Sequence, residues 1–331
     1  MVETKHENMD KVKQKILVCG STGFIGRNIA ESLSENRACE VYGTFLDSAP
    51  LKSKKIKMLK ADLTSEKDVK RVLSGIDIVI QAAATTSGVK DIFSKPHYHV
   101  TDNAVMNALI FKNAVELKVK HLVFFSCTIM YQSSEIPIKE TDFDANKDIL
   151  GAYFGAGWTK ICNEKMCEFY SRTGNTKFTV IRHSNIYGPY DKYDLEHSHV
   201  FGATMTKVMT AKDGDKITVW GEGKEERDLL HVADLVDLVK AVVSKQNSKF
   251  ELINAGSGSS IGVGALVKKI IQISGKNLNI EFDSSKPNLN TRVSLDSSKA
   301  RDLFGWNPKI ILDDGISKTI EWYRSFYKHN H

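Results

Sequence analysis

Three glycines near the start of the chain have the spacing of a phosphate-binding turn. Segment 20–26 reads GSTGFIG and stands directly between a predicted strand and a predicted helix. A pyrophosphate must approach the backbone closely, and the helix N-terminus then offers it free N–H groups and a partial positive charge. The alternative, a tight turn without a ligand, would make three glycines in seven residues costly in chain entropy. We expect a dinucleotide to contact Gly20, Thr22, Gly23, Phe24, Ile25 and Gly26.

Two further segments would complete the cofactor site. Asp62 and Leu63 follow the third predicted strand, where a side chain can hydrogen-bond an adenine edge. Ala82, Ala83 and Ala84 end the fourth predicted strand, where small side chains would let the ribose and phosphate of a dinucleotide lie against the sheet. Close packing alone is the competing interpretation of both segments.

The end of the second predicted strand bears on the choice between NAD and NADP. An acidic residue there would bind the ribose hydroxyls and favour NAD. Counting along VYGTFLD, the position falls on Thr44 or Phe45, and Asp47 lies further on. Because cations that could hold a 2′-phosphate occur nearby, we expect NADP rather than NAD; the alternative is a solvated basic loop. These cations are Arg27, Lys52, Lys54 and Lys55.

The elements that must position these residues alternate between strand and helix from Ile16 onward. Apolar, β-branched runs separated by helices indicate parallel strands buried on both faces. The pattern predicts an α/β fold of the Rossmann type, with a doubly wound parallel sheet. The predicted strands are KILVCG, CEVYGTFL, KIKMLKADL, IDIVIQAAA and KHLVFFSCT.

The pattern changes after Thr176. KFTVIRHSNIYGP supplies one more strand and loop, and shorter, less regular elements follow. We predict a nucleotide-binding domain over residues 14–186, with return segments near 225–255 that include a strand at Phe250–Asn254. Residues 187–328 are predicted to form mainly a smaller, interleaved C-terminal α/β lobe that binds the substrate.

Composition narrows the classes of partner. The 331 residues include 46 basic and 40 acidic ones, and no long basic stripe with interleaved aromatic residues occurs, so a nucleic-acid partner is not expected. Five cysteines without a CxxC pair or a histidine cluster suggest reduced thiols in a cytoplasmic protein and no metal site. The charged N-terminal segment lacks the apolar stretch of a signal peptide, and no apolar run is long enough to span a membrane.

Nine motifs follow one another between Ile16 and about Trp322. They are GSTGFIG (20–26), ADL (61–63), QAAA (81–84), FFSCTIMY (124–131), GWTKICNE (157–164), IRHSNIYGP (181–189), GEGKEERDLLHVADL (221–235), NAGSGSSI (254–261) and LFGWNP (303–308). In this order they resemble the extended short-chain dehydrogenase/reductase family, and within it the NAD-dependent epimerase/dehydratase group that acts on nucleoside-diphosphate sugars. GDP-fucose synthase and UDP-sugar 4-epimerase are the nearest branches.

The resemblance implies a tyrosine four residues before a lysine on the helix after the fifth strand. The tyrosine would act as acid/base, and the lysine would lower its pKa and hold the nicotinamide ribose. Lys160 fits the lysine position, but Ala156 stands where the tyrosine is expected. Tyr153 would lie about 10 Å from Lys160 along a regular helix, whereas an irregular start around Gly155 and Gly157 would bring it inward. Tyr153 is the provisional acid/base; otherwise another residue serves, or redox chemistry has been lost.

The end of the fifth strand departs from the family pattern too. Cys127 falls where the resemblance implies Ser or Thr, and Thr128 could supply the hydroxyl instead if strand alternation fails there. Either residue would contact the reacting oxygen, and a small buried residue is the competing interpretation of Cys127. Members that eliminate water carry an Asp-Glu pair just beyond. Ile129 and Met130 occupy those positions here, which argues against a 4,6-dehydratase.

Substrate contacts are also implied by the resemblance. Asn185 matches a position that contacts the sugar diphosphate, and Arg227 matches an arginine that pairs with a phosphate, a task suited to the guanidinium fork. Arg292 would be a second such arginine, and a surface ion pair is the alternative for both. His183 and His231 receive no role, because a histidine at either place is more often packed or hydrogen-bonded than catalytic.

Together these features predict an NAD(P)-dependent nucleotide-sugar epimerase or keto-sugar reductase, with hydride transfer at C4 of the sugar. Two alternatives stay open: a non-sugar carbonyl reductase, and a cofactor-binding protein with altered or lost redox chemistry. Similar proteins further imply a homodimer formed through helices near Val105–Lys118 and Lys160–Ser171.

Overall fold

The computed structural model describes residues 13–85, 96–195, 198–285 and 291–326. Its largest element is a seven-stranded sheet in the order β10-β6-β5-β4-β1-β2-β3, in which every neighbouring pair is parallel. The predicted doubly wound α/β fold is confirmed. The strands are β1 (Gln14–Cys19), β2 (Cys39–Phe45), β3 (Ile56–Lys60), β4 (Ile78–Gln81), β5 (His121–Cys127), β6 (Lys177–His183) and β10 (Phe250–Ala255).

Helices cover both faces of this sheet, as the unbroken apolar strands require. On one face, α1 (Phe24–Ser34) and α6 (Val232–Lys245) pack against a core that includes Val123 and Phe125. On the other, α2 (Glu66–Leu73), α3 (Thr101–Glu116) and α4 (Phe154–Thr173) pack against Leu122 and Phe124. Alternation along β5 therefore decides which side chains face which helices. None of the described helices has the length and apolar character needed to cross a membrane.

The later part of the chain builds its own hydrophobic core around Tyr187, Phe201 and Leu266. Its strands are β7 (Asn185–Tyr187), β8 (Lys216–Trp220), β9 (Glu226–His231), β11 (Ser260–Gly262) and β12 (Asn279–Asp283). Its helices are α5 (Val200–Thr210), α7 (Val263–Ser274), α8 (Ser298–Phe304) and α9 (Leu312–Ser325). β10 returns to the large sheet beside β6. The domain boundary at residue 187 stays a prediction.

The sheet order brings the predicted sites to one edge. Because all seven strands run the same way, their carboxyl ends share that edge, and the strand order reverses between β1 and β4, the switch point at which open α/β sheets bind ligands. The 20–26 turn follows β1. Further along the edge, β5 and β6 end side by side, with Cys127 paired in register with His183.

Candidate active site

The glycine turn forms a backbone cradle at the switch point. Gly20 has a φ of +70°, and a Cβ placed on it would lie 2.6 Å from the Cα of Ala83. A Cβ on Gly26 would lie 2.2 Å from the carbonyl oxygen of Gly20. Gly23 is the N-cap residue of α1 and has no side chain that could accept a hydrogen bond from the first N–H groups of the helix, which leaves them for a ligand. This close-packed turn, opening onto uncapped N–H groups, fits the pyrophosphate of a dinucleotide.

A buried threonine fixes the turn from below. The Oγ1 of Thr44 accepts a hydrogen bond of 2.9 Å from the Gly20 N–H, and the Thr44 carbonyl accepts from both the N–H and the hydroxyl of Ser21. Thr44 occupies one of the two positions where an acidic residue would have indicated NAD. At 1% exposure it supports the turn and is closed to solvent.

Of the four cations on which the expectation of NADP rests, two are ion-paired and two are exposed. Arg27 forms a 2.8 Å ion pair with Glu31, and its guanidinium lies 3.7 Å from the ring centroid of Tyr190. Lys55 is paired with Glu35. Lys52 and Lys54 are exposed. The Ser48 hydroxyl, which the sequence reading passed over, donates to Thr22 Oγ1 at 2.8 Å, so two hydroxyls meet beside the turn.

The other predicted cofactor contacts differ in their surroundings. Asp62 is half-buried, and its Oδ1 accepts hydrogen bonds from the N–H and the hydroxyl of Thr64. Leu63 is buried in the core against α2, so its side chain points into the protein and only its backbone can serve an adenine. Ala82 and Ala83 are half-buried and Ala84 is exposed, which leaves the end of β4 open beside the glycine turn.

Polar side chains of α3 hold the segment after β4, a feature absent from the sequence reading. Gln81 Nε2 donates to Asn107 Oδ1 at 2.8 Å and to the Ala83 carbonyl. Asn103 accepts from the Thr85 N–H and donates to the Thr85 carbonyl. The asparagines at 103 and 107 share a helix face by their spacing of four, which was the signal available in the sequence.

The start of α4 resolves the position of Tyr153. The helix begins at Phe154 and is regular through Gly155 and Gly157, so the irregular helix start considered for these glycines is absent. A Cβ on Gly155 would lie 2.9 Å from Val100, and one on Gly157 3.0 Å from Ile149, which explains both glycines by close packing. Tyr153 caps the helix from a preceding 3₁₀ turn and packs with a small apolar cluster.

Lys160 lies on α4 with its ammonium at the edge of the sheet. Its Nζ donates to the Phe125 carbonyl at 2.8 Å. Burial lowers its pKa, and the nearby Cys127 and Glu164 raise it. Ala156 stands one turn earlier and carries no group that can exchange a proton. The lysine is thus in place, and its expected tyrosine partner is not.

A buried ion pair supports this part of α4. The Glu164 carboxylate accepts from Arg182 at 3.0 and 2.6 Å and from the Ser126 hydroxyl at 2.6 Å. Arg182 also donates to the Tyr131 hydroxyl. Because Ser126 turns toward α4, strand alternation sends Cys127 to the opposite face. Thr128 follows the last residue of β5 and is half-buried.

Six side chains at this edge are linked by their electrostatic effects on one another, and we call them the polar ring. Burial is the largest cause of every pKa shift among them, and a charge or dipole of another member is a further cause. Because each of the six affects the pKa of at least one other, these side chains lie near one another. The ring consists of Cys127, Tyr153, Lys160, His183, His199 and Arg227.

One side of the ring runs from Arg227 to Lys160. Burial raises the pKa of Tyr153, Arg227 lowers it, and Cys127 raises it. Burial likewise raises the pKa of Cys127, whereas Lys160 lowers it. Tyr153 is therefore close enough to Arg227 and Cys127 to be affected by them, but its pKa rises, whereas a tyrosine acid/base needs a lowered one.

The other side of the ring contains two histidines. Burial lowers the pKa of His183 to about 4, its hydrogen bond to Ser184 raises it, and Lys160 and His199 lower it. Desolvation lowers the pKa of His199, followed by the charges of Lys192 and Arg227. His199 was missed in the sequence because it lies far from any motif. His231 is different: its Nδ1 accepts from the Ala233 N–H and caps α6.

The predicted substrate residues lie on β7, β9 and the segment after β12. Asn185 Nδ2 donates to the Asp228 carbonyl at 3.2 Å. Arg227 pairs with Glu225 and donates to Thr291 Oγ1 at 2.7 Å. Arg292 pairs with Glu226 at 3.0 Å and is 47% exposed, so it matches the surface ion pair considered for it. Arg227 keeps its Nε hydrogen free of the described contacts and forms part of the wall of a cavity of about 230 Å³.

The arrangement is suited to proton exchange beside a dinucleotide. Thiol, phenol, ammonium and imidazole groups lie near one another at the carboxyl edge of the sheet that also carries the backbone cradle. In the part of the chain that the structure describes, no group of three or more His, Cys, Asp or Glu side chains could hold a metal ion.

Comparisons with known proteins agree with this arrangement. The model of the NAD dependent epimerase/dehydratase family matches residues 16–256. GDP-L-fucose synthase 1 of Arabidopsis thaliana is 30% identical over 325 residues, covering 96% of this chain and 95% of that protein. GDP-L-fucose synthase of Sinorhizobium fredii is 29% identical over 318 residues, covering 94% and 96%. The UDP-glucose 4-epimerase of Thermotoga maritima, solved with UDP-glucose, has a TM-score of 0.81 at 23% identity, covering 95% and 100%. The chain belongs to the NAD dependent epimerase/dehydratase family and is an enzyme that uses a nicotinamide cofactor.

Proposed function

We propose that the protein is an NAD(P)-dependent nucleoside-diphosphate-sugar epimerase or keto-sugar reductase that acts at C4 of the sugar. The observation that carries the proposal is the polar ring, which lies at the same carboxyl edge of the sheet as the glycine cradle. GDP-L-fucose synthases and a UDP-glucose 4-epimerase are among the relatives, which supports a nucleotide-linked sugar as the substrate. The nicotinamide supplies hydride transfer to or from the sugar carbon.

The chain would hold the cofactor mainly through its backbone. The N–H groups of Phe24, Ile25 and Gly26 would bind the pyrophosphate, and Gly20, Thr22 and Gly23, whose N–H donates to the Gly20 carbonyl, would shape the turn around it. Asp62 and the backbone of Leu63 would contact the adenine. Ala82, Ala83 and Ala84 leave room above β4, and Lys160 would hold the nicotinamide ribose.

We place the substrate against the polar ring, with its diphosphate beside Arg227 on β9. Arg227 would donate to a phosphate of the nucleotide from its remaining N–H groups, and Asn185 would contact the sugar diphosphate beside it. Arg292 would be a weaker outer contact, because it is half-exposed and already paired with Glu226. Cys127 or Thr128 would touch the reacting oxygen.

Two members of the ring could exchange the proton of that oxygen. Tyr153 is the provisional acid/base from the sequence. His183 is the second candidate, and the structure brings it to the ring. Lys160 would assist either group, since a nearby ammonium stabilises negative charge that develops on the oxygen.

NADP is the cofactor we propose. Of the two positions that could carry an acid for NAD, Thr44 is buried and hydrogen-bonds to the turn, and Phe45 is not acidic. The Ser48 and Thr22 hydroxyls meet beside the turn. Arg27 and Lys55 are paired elsewhere, so the support rests on the hydroxyls and on the exposed Lys52 and Lys54.

A second candidate function is cofactor binding with altered or lost redox chemistry. Ala156 is the observation that favours it, because no hydroxyl stands one turn before Lys160. The Lys160 ammonium and the nearby imidazoles of His183 and His199 argue against this candidate, since a protein that only binds the cofactor does not need proton-exchanging groups there.

We further propose a cytoplasmic homodimer. Large apolar side chains are exposed on or beside α3 and α4: Val105 at 42%, Leu117 at 37%, Phe154 at 61% and Phe169 at 59%. Pairing of these helices with their copies would cover them. The five cysteines are free thiols, in keeping with a reducing compartment.

A substrate panel tests the function. The protein is mixed with NADP or NADPH and with UDP-, GDP-, CDP- and dTDP-linked hydroxy or 4-keto sugars, and absorbance is followed at roughly 340 nm, the band of reduced nicotinamide. Products are separated by chromatography, because epimerisation leaves no net change in absorbance. We expect one nucleotide class to give turnover. Cofactor binding without turnover on any sugar would favour the second candidate.

A further inference from the structure

We propose that His183 exchanges the proton of the reacting sugar oxygen, in place of the side chain that Ala156 lacks. This inference rests on the proposed function. It follows from the position, the tautomer and the neighbours of the imidazole, none of which can be predicted from the sequence.

The tautomer of His183 is fixed by its backbone contact. Its Nδ1 lies 2.7 Å from the Ser184 carbonyl oxygen, which can only accept a hydrogen bond. Nδ1 therefore carries the hydrogen, and Nε2 carries the lone pair. No described residue hydrogen-bonds Nε2, and His183 is half-buried, so this nitrogen is available to a ligand.

The imidazole stands where the chemistry must occur. His183 ends β6 at the carboxyl edge and is in register with Cys127 at the end of β5. Its ring packs against Phe125, 6.2 Å between centroids, and Phe125 provides the carbonyl that receives the Lys160 ammonium. The His183 imidazole and the Lys160 ammonium, which would hold the nicotinamide ribose, thus both lie at the carboxyl ends of β5 and β6.

The other ring members are less suited to receive a proton. Burial raises the pKa values of both Cys127 and Tyr153, so near neutral pH neither offers a basic atom. Burial, followed by the effects of Lys160 and His199, lowers the pKa of His183 to about 4. The imidazole is therefore neutral near pH 7, and its Nε2 lone pair can accept a proton. His199 is the remaining imidazole, but it is an exposed residue at the N-cap position of α5, on the Arg227 side of the ring.

The step balances. When a secondary alcohol of the sugar is oxidised, its C–H and O–H bonds break as the C=O bond forms. The hydride passes to the oxidised nicotinamide and the hydroxyl proton passes to Nε2, which leaves an imidazolium. Reduction of the ketone returns the hydride to carbon and the Nε2 proton to oxygen. An anionic diphosphate bound near the ring would stabilise the imidazolium.

The test compares His183→Gln, His183→Ala and Tyr153→Phe with wild type on the sugar found by the panel. We expect His183→Gln to lose about 10²–10⁴-fold in turnover, the usual contribution of general acid–base catalysis. Nicotinamide-nucleotide affinity and the thermal midpoint should stay near wild type. Added imidazole should restore turnover to His183→Ala in proportion to its concentration, which a purely structural role would not produce. Tyr153→Phe should lose less than His183→Gln.

Two readouts separate chemistry from structure. Histidine ¹H–¹⁵N correlation spectra of wild type should assign the hydrogen of His183 to Nδ1, independently of any turnover. His121→Gln is the matched control, because His121 is another buried histidine of the sheet, with a pKa of about 4 from burial, at the opposite end of β5. It should lower stability and keep turnover.

Each contrary outcome is decisive. Turnover of His183→Gln close to wild type would overturn the inference, as would a hydrogen on Nε2. Loss of activity in His183→Ala without rescue, together with weakened nucleotide binding, would mean that His183 only shapes the pocket, which also overturns it. Absence of turnover in wild type on every sugar would instead overturn the proposed function, and this inference with it.

Discussion

The glycine turn and the polar ring lie at the same edge of one sheet, yet they are built in different ways. The turn is made of backbone: Gly20 and Gly26 are required by close approaches of 2.6 and 2.2 Å, and Thr44 holds the turn from below. The ring is made of side chains from six separate places in the chain. A site built from closely packed backbone tolerates few substitutions, whereas in a site built from side chains a residue on another element can take over the role of proton donor.

The largest effect expected from this comparison is that of Gly20→Ala. A Cβ there meets the Ala83 backbone and strains a φ of +70°, so we expect a loss of about 3–5 kcal/mol in the free energy of unfolding and no measurable nucleotide binding. Gly75→Ala is the matched control. Its φ is +71° and nothing lies within 4 Å, so strain alone should cost about 1 kcal/mol. Equal losses in chemical denaturation would show that the turn is not closely packed.

Next in size is the effect of Lys160→Met on the ring. Removing the ammonium that donates to the Phe125 carbonyl should lower turnover by about 10²–10⁴-fold while the fold survives. The control is Lys165→Met, which removes an exposed lysine on the same helix that pairs only with Glu168. Steady-state kinetics with both variants checks this. Unchanged turnover in Lys160→Met would remove the lysine from the mechanism.

The contrast also explains why the fold and the cradle could be predicted from the sequence and the polar ring could not. The strand–turn–helix around Gly20 is local, so spacing and hydrophobic pattern were enough to predict the fold and the cradle. The ring depends on which strands end side by side, and the pairing of Cys127 with His183 arises from sheet order. His199 was missed because it lies far from any motif, and the asparagines at 103 and 107 were missed although their spacing of four was visible in the sequence. Tyr153 was placed by its distance from Lys160 along a helix that begins only at Phe154.

The smallest expected effect concerns the choice of cofactor. Ser48→Asp would place a carboxylate beside Thr22, where it repels a 2′-phosphate and accepts hydrogen bonds from ribose hydroxyls. We expect NADP to bind about tenfold more weakly, equivalent to about 1.4 kcal/mol, and NAD to bind more tightly. Ser48→Asn, which adds bulk without charge, is the control. Calorimetric titration with both nucleotides checks this, and an unchanged preference would place the 2′-phosphate away from Ser48.

The most direct measurement is a crystal structure of the protein grown with NADPH. The pyrophosphate should lie about 3 Å from backbone nitrogens of residues 24–26. The nicotinamide should lie at the ends of β5 and β6, beside Lys160 and His183. A cleft that stays empty at saturating nucleotide, or a nucleotide bound away from the 20–26 turn, would contradict the account.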